Sequence, residues 1–492
     1  AAMFDVFTVT DTSITVSGTG PFRAFLTPDT VTNPDRNDPA TYYTKSTNYG
    51  ASNAHTFDFT VIKADATLTT HPLVNAVMTI QNTNNGVNAT YPGYVFVGDN
   101  ASGAVDDTLT ATKTDNPSIM YGFDGNDSIT GNVGNDTIFG GNGNDTLLGG
   151  SGNDHLFGGA NNDTVIFDSG ELTAADVVDG GTGSQDILKV TGSASATTDA
   201  NLLGVEYVDW TDTVSGDLVS FVGQTESMTF TFASPDVLES APDTILLGSG
   251  NDTILGGENM EAYFGVSGCY QTLNGGLGTD ELRFGASWDD PYDASLTSIE
   301  IVTLTSAANV NLDQQTEAFT INGSSGNDTI TGGAGADTIT GGAGADAITG
   351  GGGADTFAIG SLADAGDTIY DFSVAQGDVL DLSAFGLGDT VVDTVAVAGG
   401  TGTSLSGGVD VVVYTADNTL GGSSASAVAS MLTAQNGAAN QHQPVYVLTD
   451  DGANTYVWYN AHLDFNGATT LVATLVGVAD CSTVAIGTNF QG

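Results

Sequence analysis

The sequence predicts an all-β protein: a parallel β-roll or β-solenoid of short stacked coils, with an N-terminal antiparallel β domain and a C-terminal β region. Three observations predict it. Nonapeptides of the form Gly-Gly-x-Gly-x-Asp-x-apolar-x recur in register. Glycine is abundant (67 of 492 residues) and proline scarce (11), which suits a turn-rich chain better than a collagen or a linker. Hydrophobic residues make up 40% of the chain, with many Val, Ile, Phe and Tyr, so the acidic excess does not signify disorder.

The repeat comes first. From Gly122 the chain steps in nines. Gly122-Phe123-Asp124-Gly125-Asn126-Asp127-Ser128-Ile129-Thr130 opens a run. It continues at Gly131 (Gly134, Asp136, Ile138), Gly140 (Gly141, Asn142, Gly143, Asp145, Leu147), Gly149 (Gly150, Gly152, Asp154, Leu156) and Gly158 (Asp163, Val165). A second run starts at Gly323 (Gly326, Asp328, Ile330). It continues at Gly332 (Gly333, Gly335, Asp337, Ile339), Gly341 (Gly342, Gly344, Asp346, Ile348) and Gly350 (Gly351, Gly353, Asp355, Phe357). A weaker set lies between. Asp243 and, after Gly250, Asp252 are each followed two residues on by Ile. Gly256-Gly257 opens a degenerate copy with Glu261 in the Asp place. Gly275-Gly276-Leu277-Gly278-Thr279-Asp280 is a good copy, and Gly180-Gly181-Thr182-Gly183-Ser184-Gln185-Asp186 carries one extra residue. Nine units in two unbroken runs, each with Asp sixth and an apolar residue eighth, are far beyond chance.

The physics of the unit follows from its residues. Asp-x-apolar-x is a short strand whose apolar residue points inward. The glycine-rich part is a turn that tolerates positive φ and leaves carbonyls uncovered. Two units complete one coil, and stacked coils align their Asp residues along the edges, where bare carboxylates repel. The chain has 59 acidic residues against 7 basic ones, a net −52, and no Lys or Arg follows Arg283. Compensating charge must therefore come from outside. Calcium takes about 6–8 oxygens from carboxylates and carbonyls alike, and these turns present both. The Asp and Gly residues named within the two runs, Gly323 apart, together with Asn142, Gly250, Asp252, Gly278 and Asp280, are the candidate ligand positions for multiple Ca2+ ions.

On these residues the chain resembles the RTX (repeats-in-toxin) family of calcium-binding β-roll proteins, most strongly over 122–188 and 323–385. Asp367-Thr368-Ile369-Tyr370-Asp371-Phe372 and Gly377-Asp378-Val379-Leu380-Asp381-Leu382-Ser383 are similar to the roll terminus of serralysin-type proteins. The resemblance implies Ca2+ as cofactor, export from a Gram-negative cell by type I secretion, and an uncleaved secretion signal within the last few dozen residues. It also implies a ligand set. One loop supplies the carbonyls of its second and fourth residues and its Asp. The loop two repeats later supplies the carbonyls of its first and third residues and its Asp. Here that joins Phe123, Gly125 and Asp127 to Gly140, Asn142 and Asp145. Phe123 and Asn161 stand where glycine is expected, but a carbonyl ligand needs only backbone, and Asn reaches positive φ.

The expected organisation is an N-terminal β domain over 1–112, a first roll over 113–191, a β-solenoid segment over 192–237, a degenerate roll over 238–290, a second β-solenoid segment over 291–322, a third roll over 323–385, and a C-terminal β region with the secretion signal over 386–492. Short apolar/polar alternations separated by turn clusters mark the first domain. The middle is a duplication: Gly180-Gly181…Asp186 leads to Gly204-Val205-Glu206, as Gly275-Gly276…Asp280 leads to Ser298-Ile299-Glu300. Alternation around both glutamates predicts wider coils stacked on the roll, an arrangement similar to RTX-type surface-layer proteins. In the last region Ser424–Gln435 is the one expected helix, and Tyr456, Trp458 and Tyr459 read as hairpin core rather than a sugar-binding platform.

Charge and motifs then narrow the function. Nucleic acid and anionic membranes are poor partners for so acidic a chain, and no 18-residue apolar run spans a membrane. No histidine begins a His-Glu-x-x-His, and no Gly-x-Ser-x-Gly occurs. The expectation is an extracellular, non-enzymatic, calcium-dependent structural protein that assembles with copies of itself, as a surface-layer, matrix or filament subunit, with cell-surface polysaccharide as a further partner. The alternative is an adhesin or secreted enzyme whose N-terminal domain binds a ligand or substrate.

Overall fold

The computed structural model describes residues 94–98, 106–111, 117–168, 170–195, 201–211, 217–233, 244–256, 272–289, 296–383, 445–460 and 469–484, with further strands outside these ranges. Cys269, Glu261 and the helix expected at Ser424–Gln435, apart from Val428, lie outside the described residues. The chain divides into two compact units, one of residues Ala1–Asp236 with Thr244–Asn251, the other of Val237–Asp243 with Asp252–Gly492.

In the first unit, antiparallel strands lead into a parallel stack. Phe4–Val9, Ser13–Gly18 and Ala54–Asp58 pair antiparallel, as do Phe22–Pro28 and Leu73–Asn82. Tyr94–Val97 is the transition: it is antiparallel to Leu73–Asn82 and parallel to Ser118–Asp124. Thr108–Thr110 likewise lies parallel to Ser128–Thr130, so stacking begins before the first nonapeptide. From there two parallel sheets face each other. The eighth residue of each nonapeptide falls in register on the next coil, giving the ladder Leu109, Ile129, Leu147, Val165, Leu188, Val208, Phe230. The facing ladder is Phe96, Met120, Ile138, Leu156, Val178, Leu202. All are 2% exposed or less. At about 1.5–3 kcal/mol per fully buried aliphatic or aromatic side chain, these ladders drive folding. The ninth position adds an outer stack in which Tyr121, Phe139 and Phe157 lie with ring centroids 5.0 and 4.9 Å apart and planes within 12°. Such cross-coil pairs contribute about 0.5–1.5 kcal/mol each beyond burial.

The second unit repeats the design. Ile254, Leu282, Val302, Ile321, Ile339, Phe357 and Leu380 form one ladder, and Trp288, Val310, Ile330, Ile348 and Ile369 the other. The β segments that follow Asp186 and Asp280 are coils of the same stack. Partners 18 residues apart in the clean repeats become 20 or 22 apart there, so the coil is longer while the inward ladder is kept. The C-terminal residues close the roll. Val445–Asp450, Asn454–Asn460 and Thr469–Val476 form an antiparallel meander, and Thr469–Val476 also pairs in parallel with Asp367–Ile369. Phe490–Gln491 adds to Val379–Asp381. The stretch expected to carry a secretion signal thus covers sheet edges that would otherwise template aggregation. Trp458 is core: it is 3% exposed, and its indole N–H donates to Thr449 Oγ1 at 3.1 Å.

Turn geometry explains the glycine pattern and its exceptions. Phe123, Asn132 and Asn161 occupy glycine positions and all take positive φ, at 81°, 73° and 77°. A left-handed conformation costs a bulky residue about 1–2 kcal/mol, which three isolated turns tolerate. Crowding is a harder constraint. At Gly143 φ is +135°, and a Cβ would collide with the Gly125 carbonyl of the neighbouring coil. Gly143→Ala is expected to lower stability in calcium by about 2–4 kcal/mol. Gly170→Ala, at φ +74° with nothing within 4 Å of a Cβ, should cost about 1–2 kcal/mol. Urea unfolding of both variants checks this; equal midpoints would refute the crowding argument.

Candidate metal centre

Each nonapeptide Asp sits where its strand begins, pointing back under its own turn. The side chains are nearly sealed from solvent: Asp127, Asp136, Asp145, Asp154, Asp163, Asp252, Asp280, Asp328, Asp337, Asp346 and Asp355 are all 2% exposed or less. One oxygen has a fixed task. Asp107 N–H donates to Asp127 Oδ1 at 2.7 Å, Asp127 N–H to Asp145 Oδ1 at 2.7 Å, Asp145 N–H to Asp163 Oδ1 at 2.8 Å and Asp163 N–H to Asp186 Oδ1 at 2.7 Å. The other edge runs Ser118 to Asp136, Asp136 to Asp154 and Asp154 to Asp176, at 2.6–2.7 Å. In the second unit the chains are Ala308–Asp328–Asp346–Asp367 and Phe319–Asp337–Asp355–Asp378, at 2.7–3.1 Å, and Asp252 N–H donates to Asp280 Oδ1 at 2.7 Å. Every corner is thereby tied to the corner one coil away.

The other oxygen carries the chemistry. Oδ2 of Asp127, Asp136, Asp145, Asp154, Asp163, Asp186, Asp280, Asp346 and Asp367 is buried with no hydrogen-bond donor. Such an orphan is costly unless a cation meets it. These atoms converge with turn carbonyls. A Cβ placed on Gly131 would lie 2.5 Å from Asp136 Oδ2 and 2.6 Å from the Gly149 carbonyl of the next coil. The same cradle of Asp oxygen and next-coil carbonyl recurs at Gly122 with Gly140, at Gly140 with Gly158 and at Gly332 with Gly350. The carbonyls of Phe123 and Gly125 face Gly141 and Gly143, and those of Asn132 and Gly134 face Gly150 and Gly152. In the second unit the Ser324 and Gly326 carbonyls face Gly342 and Gly344, and the Gly333 and Gly335 carbonyls face Gly351 and Gly353. Loops two repeats apart therefore meet, and alternate loops line opposite edges. A carboxylate oxygen and a next-coil carbonyl thus lie side by side at these corners, the two kinds of oxygen that calcium takes.

Electrostatics agree. Burial, reinforced at most corners by the carboxylates of adjacent coils, pushes Asp127, Asp136 and Asp154 up to about 7 and Asp163 to about 8, against the pull of the amide each accepts. Asp145, Asp280 and Asp355 rise to about 6 and Asp367 to about 8 by the same burial. Arg283 pairs with Glu281 at 2.7 Å on the exposed side of its strand.

Some expected ligands stand apart. Asp124 accepts from Asn142 Nδ2, so this pair links the outer rims of two loops. Asp328 and Asp337 receive amides of their own loops on Oδ2, from Ser324 N–H and Gly333 N–H. Gly250 packs on the Glu226 carbonyl in the first unit, and Gly278, at φ 137°, shapes the turn ahead of Asp280. Other residues join the ladders although they stood outside the expected ligand set: Asp176, Asp186, Asp367 and Asp378. Asp371 clamps the last loop, accepting Gly350 N–H at 2.8 Å and Gly351 N–H at 2.7 Å. The signal for Asp186, Asp367 and Asp378 was the Asp-x-apolar strand start; Asp176 follows no glycine turn.

Comparison with protein families matches this geometry. The model of the RTX calcium-binding nonapeptide repeat matches in four copies, over residues 121–155, 139–171, 240–259 and 322–357. The chain carries RTX calcium-binding nonapeptide repeats stacked as a parallel β-roll. Its repeats bind multiple Ca2+ ions, and the orphaned Asp oxygens and turn carbonyls of those repeats are the candidate ligands. No curated protein matches the chain. RTX repeats are typical of secreted proteins, and among the described residues no helix is long and apolar enough to cross a membrane.

Proposed function

We propose that this RTX protein is an exported structural subunit that folds on meeting calcium and assembles with copies of itself into a surface layer, matrix or filament. The observation that carries the reading is the stacking of buried carboxylates in both units, several of them with an oxygen beside a turn carbonyl of the next coil. Without cations this stack repels itself; at extracellular calcium, on the order of 10⁻³ M, it is tied coil to coil. A chain of that kind stays unfolded where calcium is scarce, which suits export through a type I channel, and folds outside. The β-roll scaffold is typical of structural and binding proteins, and a rigid parallel stack suits a building block.

Electron microscopy of the purified protein tests this. Dialysis from chelator into millimolar calcium should give ordered sheets or filaments that disperse on chelation. Monodisperse monomers in calcium at all concentrations would overturn the assembly reading and favour a binding role for the N-terminal strands.

A further inference from the structure

We propose that each unit carries a calcium site of a second kind, closed by glutamate: Asp186 with the Gly204 carbonyl and Glu206 in the first unit, and Asp280 with the Ser298 carbonyl and Glu300 in the second. The inference rests on the calcium reading of the nonapeptide corners.

The upstream half is an ordinary nonapeptide loop in the second unit and one residue longer in the first, where a Cβ on Gly183 would lie 2.4 Å from both Asp186 carboxylate oxygens. Gly276 and Gly278 take φ of 97° and 137° before Asp280, matching Gly141 and Gly143, at 125° and 135°, before Asp145. The downstream half is not. In a nonapeptide the carboxylate follows the first loop residue by five positions, as Asp145 follows Gly140. Glu206 follows Gly204, and Glu300 follows Ser298, by only two. The shortened loop nevertheless keeps both functional oxygens. Gly204 and Ser298 take φ of 57° and 52°, the latter uncommon for serine, and so turn their carbonyls over Gly180 and Gly275. A Cβ on Gly275 would lie 2.6 Å from Asp280 Oδ2 with the Ser298 carbonyl against it, the same cradle as at Gly131. Glutamate, one methylene longer than aspartate, spans the missing loop length. Its Oε2 accepts the Asp186 N–H at 2.8 Å in one unit and the Asp280 N–H at 2.9 Å in the other, continuing the amide ladder.

Two features point to a cation and not to a hydrogen-bonding cap alone. Asp186 and Asp280 are 1% and 0% exposed, and their Oδ2 atoms have no donor. A neutral glutamine would accept the amide equally well, whereas a second carboxylate beside a buried one is unfavourable unless positive charge lies between them. Both features occur at both sites.

Calorimetric titration of the chelator-treated whole chain with Ca2+ alone, with bound ions counted by native mass spectrometry, tests the proposal. Glu206→Gln and Glu300→Gln keep an acceptor for the amide and remove the charge. Each should bind one ion fewer than the parent, and the double variant two fewer; parent-like counts and affinities would overturn the proposal. Glu206→Asp and Glu300→Asp keep the charge but withdraw it by one methylene. They should fold and lose tenfold or more in affinity at one site each, so parent-like binding by them also overturns it should the glutamine variants fail to refold. Asp145→Asn separates the two readings. Loss of ions there with none lost at the glutamates sinks the glutamate sites alone, and loss in neither sinks the calcium reading of the corners.

Discussion

Stripping divalent ions from the protein at about pH 8 will unfold the rolls, and acidifying the metal-free chain to about pH 5 will recover much of the β-sheet circular dichroism. The acidic corners titrate well above 3.8, with Asp127, Asp136 and Asp154 at about 7 and Asp163 and Asp367 at about 8, because burial opposes their charge. The folded, metal-free roll therefore holds these protons more tightly than the unfolded chain does. That contribution to stability is complete below about pH 4 and is lost as pH rises through about 6 to 8. Calcium acts in the opposite sense, since it needs the ionised carboxylates. Its apparent affinity should fall as pH drops through the same window. The magnitude decides the outcome at neutral pH. At a hundredfold excess over Kd each site contributes about 2.7 kcal/mol, so a few occupied corners equal the whole stability of an ordinary domain, about 5–15 kcal/mol. Dichroism indifferent to chelator at pH 8, or a metal-free roll more stable at pH 8 than at pH 5, would contradict this account.

Asp145→Ala will destabilise the calcium-loaded protein by about 4 kcal/mol or more, at least twice the effect of Asp378→Ala. Asp145 lies inside a run: it accepts the Asp127 N–H, donates its own N–H to Asp163, and its second oxygen is orphaned. Alanine leaves the buried Asp127 amide unsatisfied, about 1–3 kcal/mol, and weakens ion binding on both sides of the corner. Asp378 lies at the end of its run, and its Oδ2 already receives the Ser373 N–H at 2.7 Å. Asp145→Asn separates the two contributions. It retains an acceptor for Asp127 and removes a buried charge, so in chelator at about pH 8 it should be no less stable than the parent. In calcium its midpoint should require at least tenfold more ion. Urea unfolding with and without calcium measures both, and equal losses for Asp145→Ala and Asp378→Ala would refute the interior argument.

Much of the metal centre was legible because it is written locally. Period-two alternation after each Asp puts Ile129, Leu147 and Val165 on the inner face, and the glycine pattern specifies turns in which Phe123 and Asn161 are strained but workable substitutes. The C-terminal strands were visible in the same way; that Thr469–Val476 would add to the sheet of Asp367–Ile369 was not, because nothing local selects that partner. Asp124 reads as a ligand by spacing, yet its carboxylate meets Asn142 on the next coil.

Which residues turn, which point inward and that carboxylates recur at the corners were thus set by the chain's own sequence, since each depends on a few neighbouring φ/ψ choices and on side-chain alternation. Which oxygen of each Asp meets an amide and which is left for a cation, how Asp176 and Asp186 extend the ladders, and how Glu206 and Glu300 replace a missing loop were decided only in the tertiary structure. Those pairings join atoms 18 to 23 residues apart, and their geometry exists only once the coils stack in register.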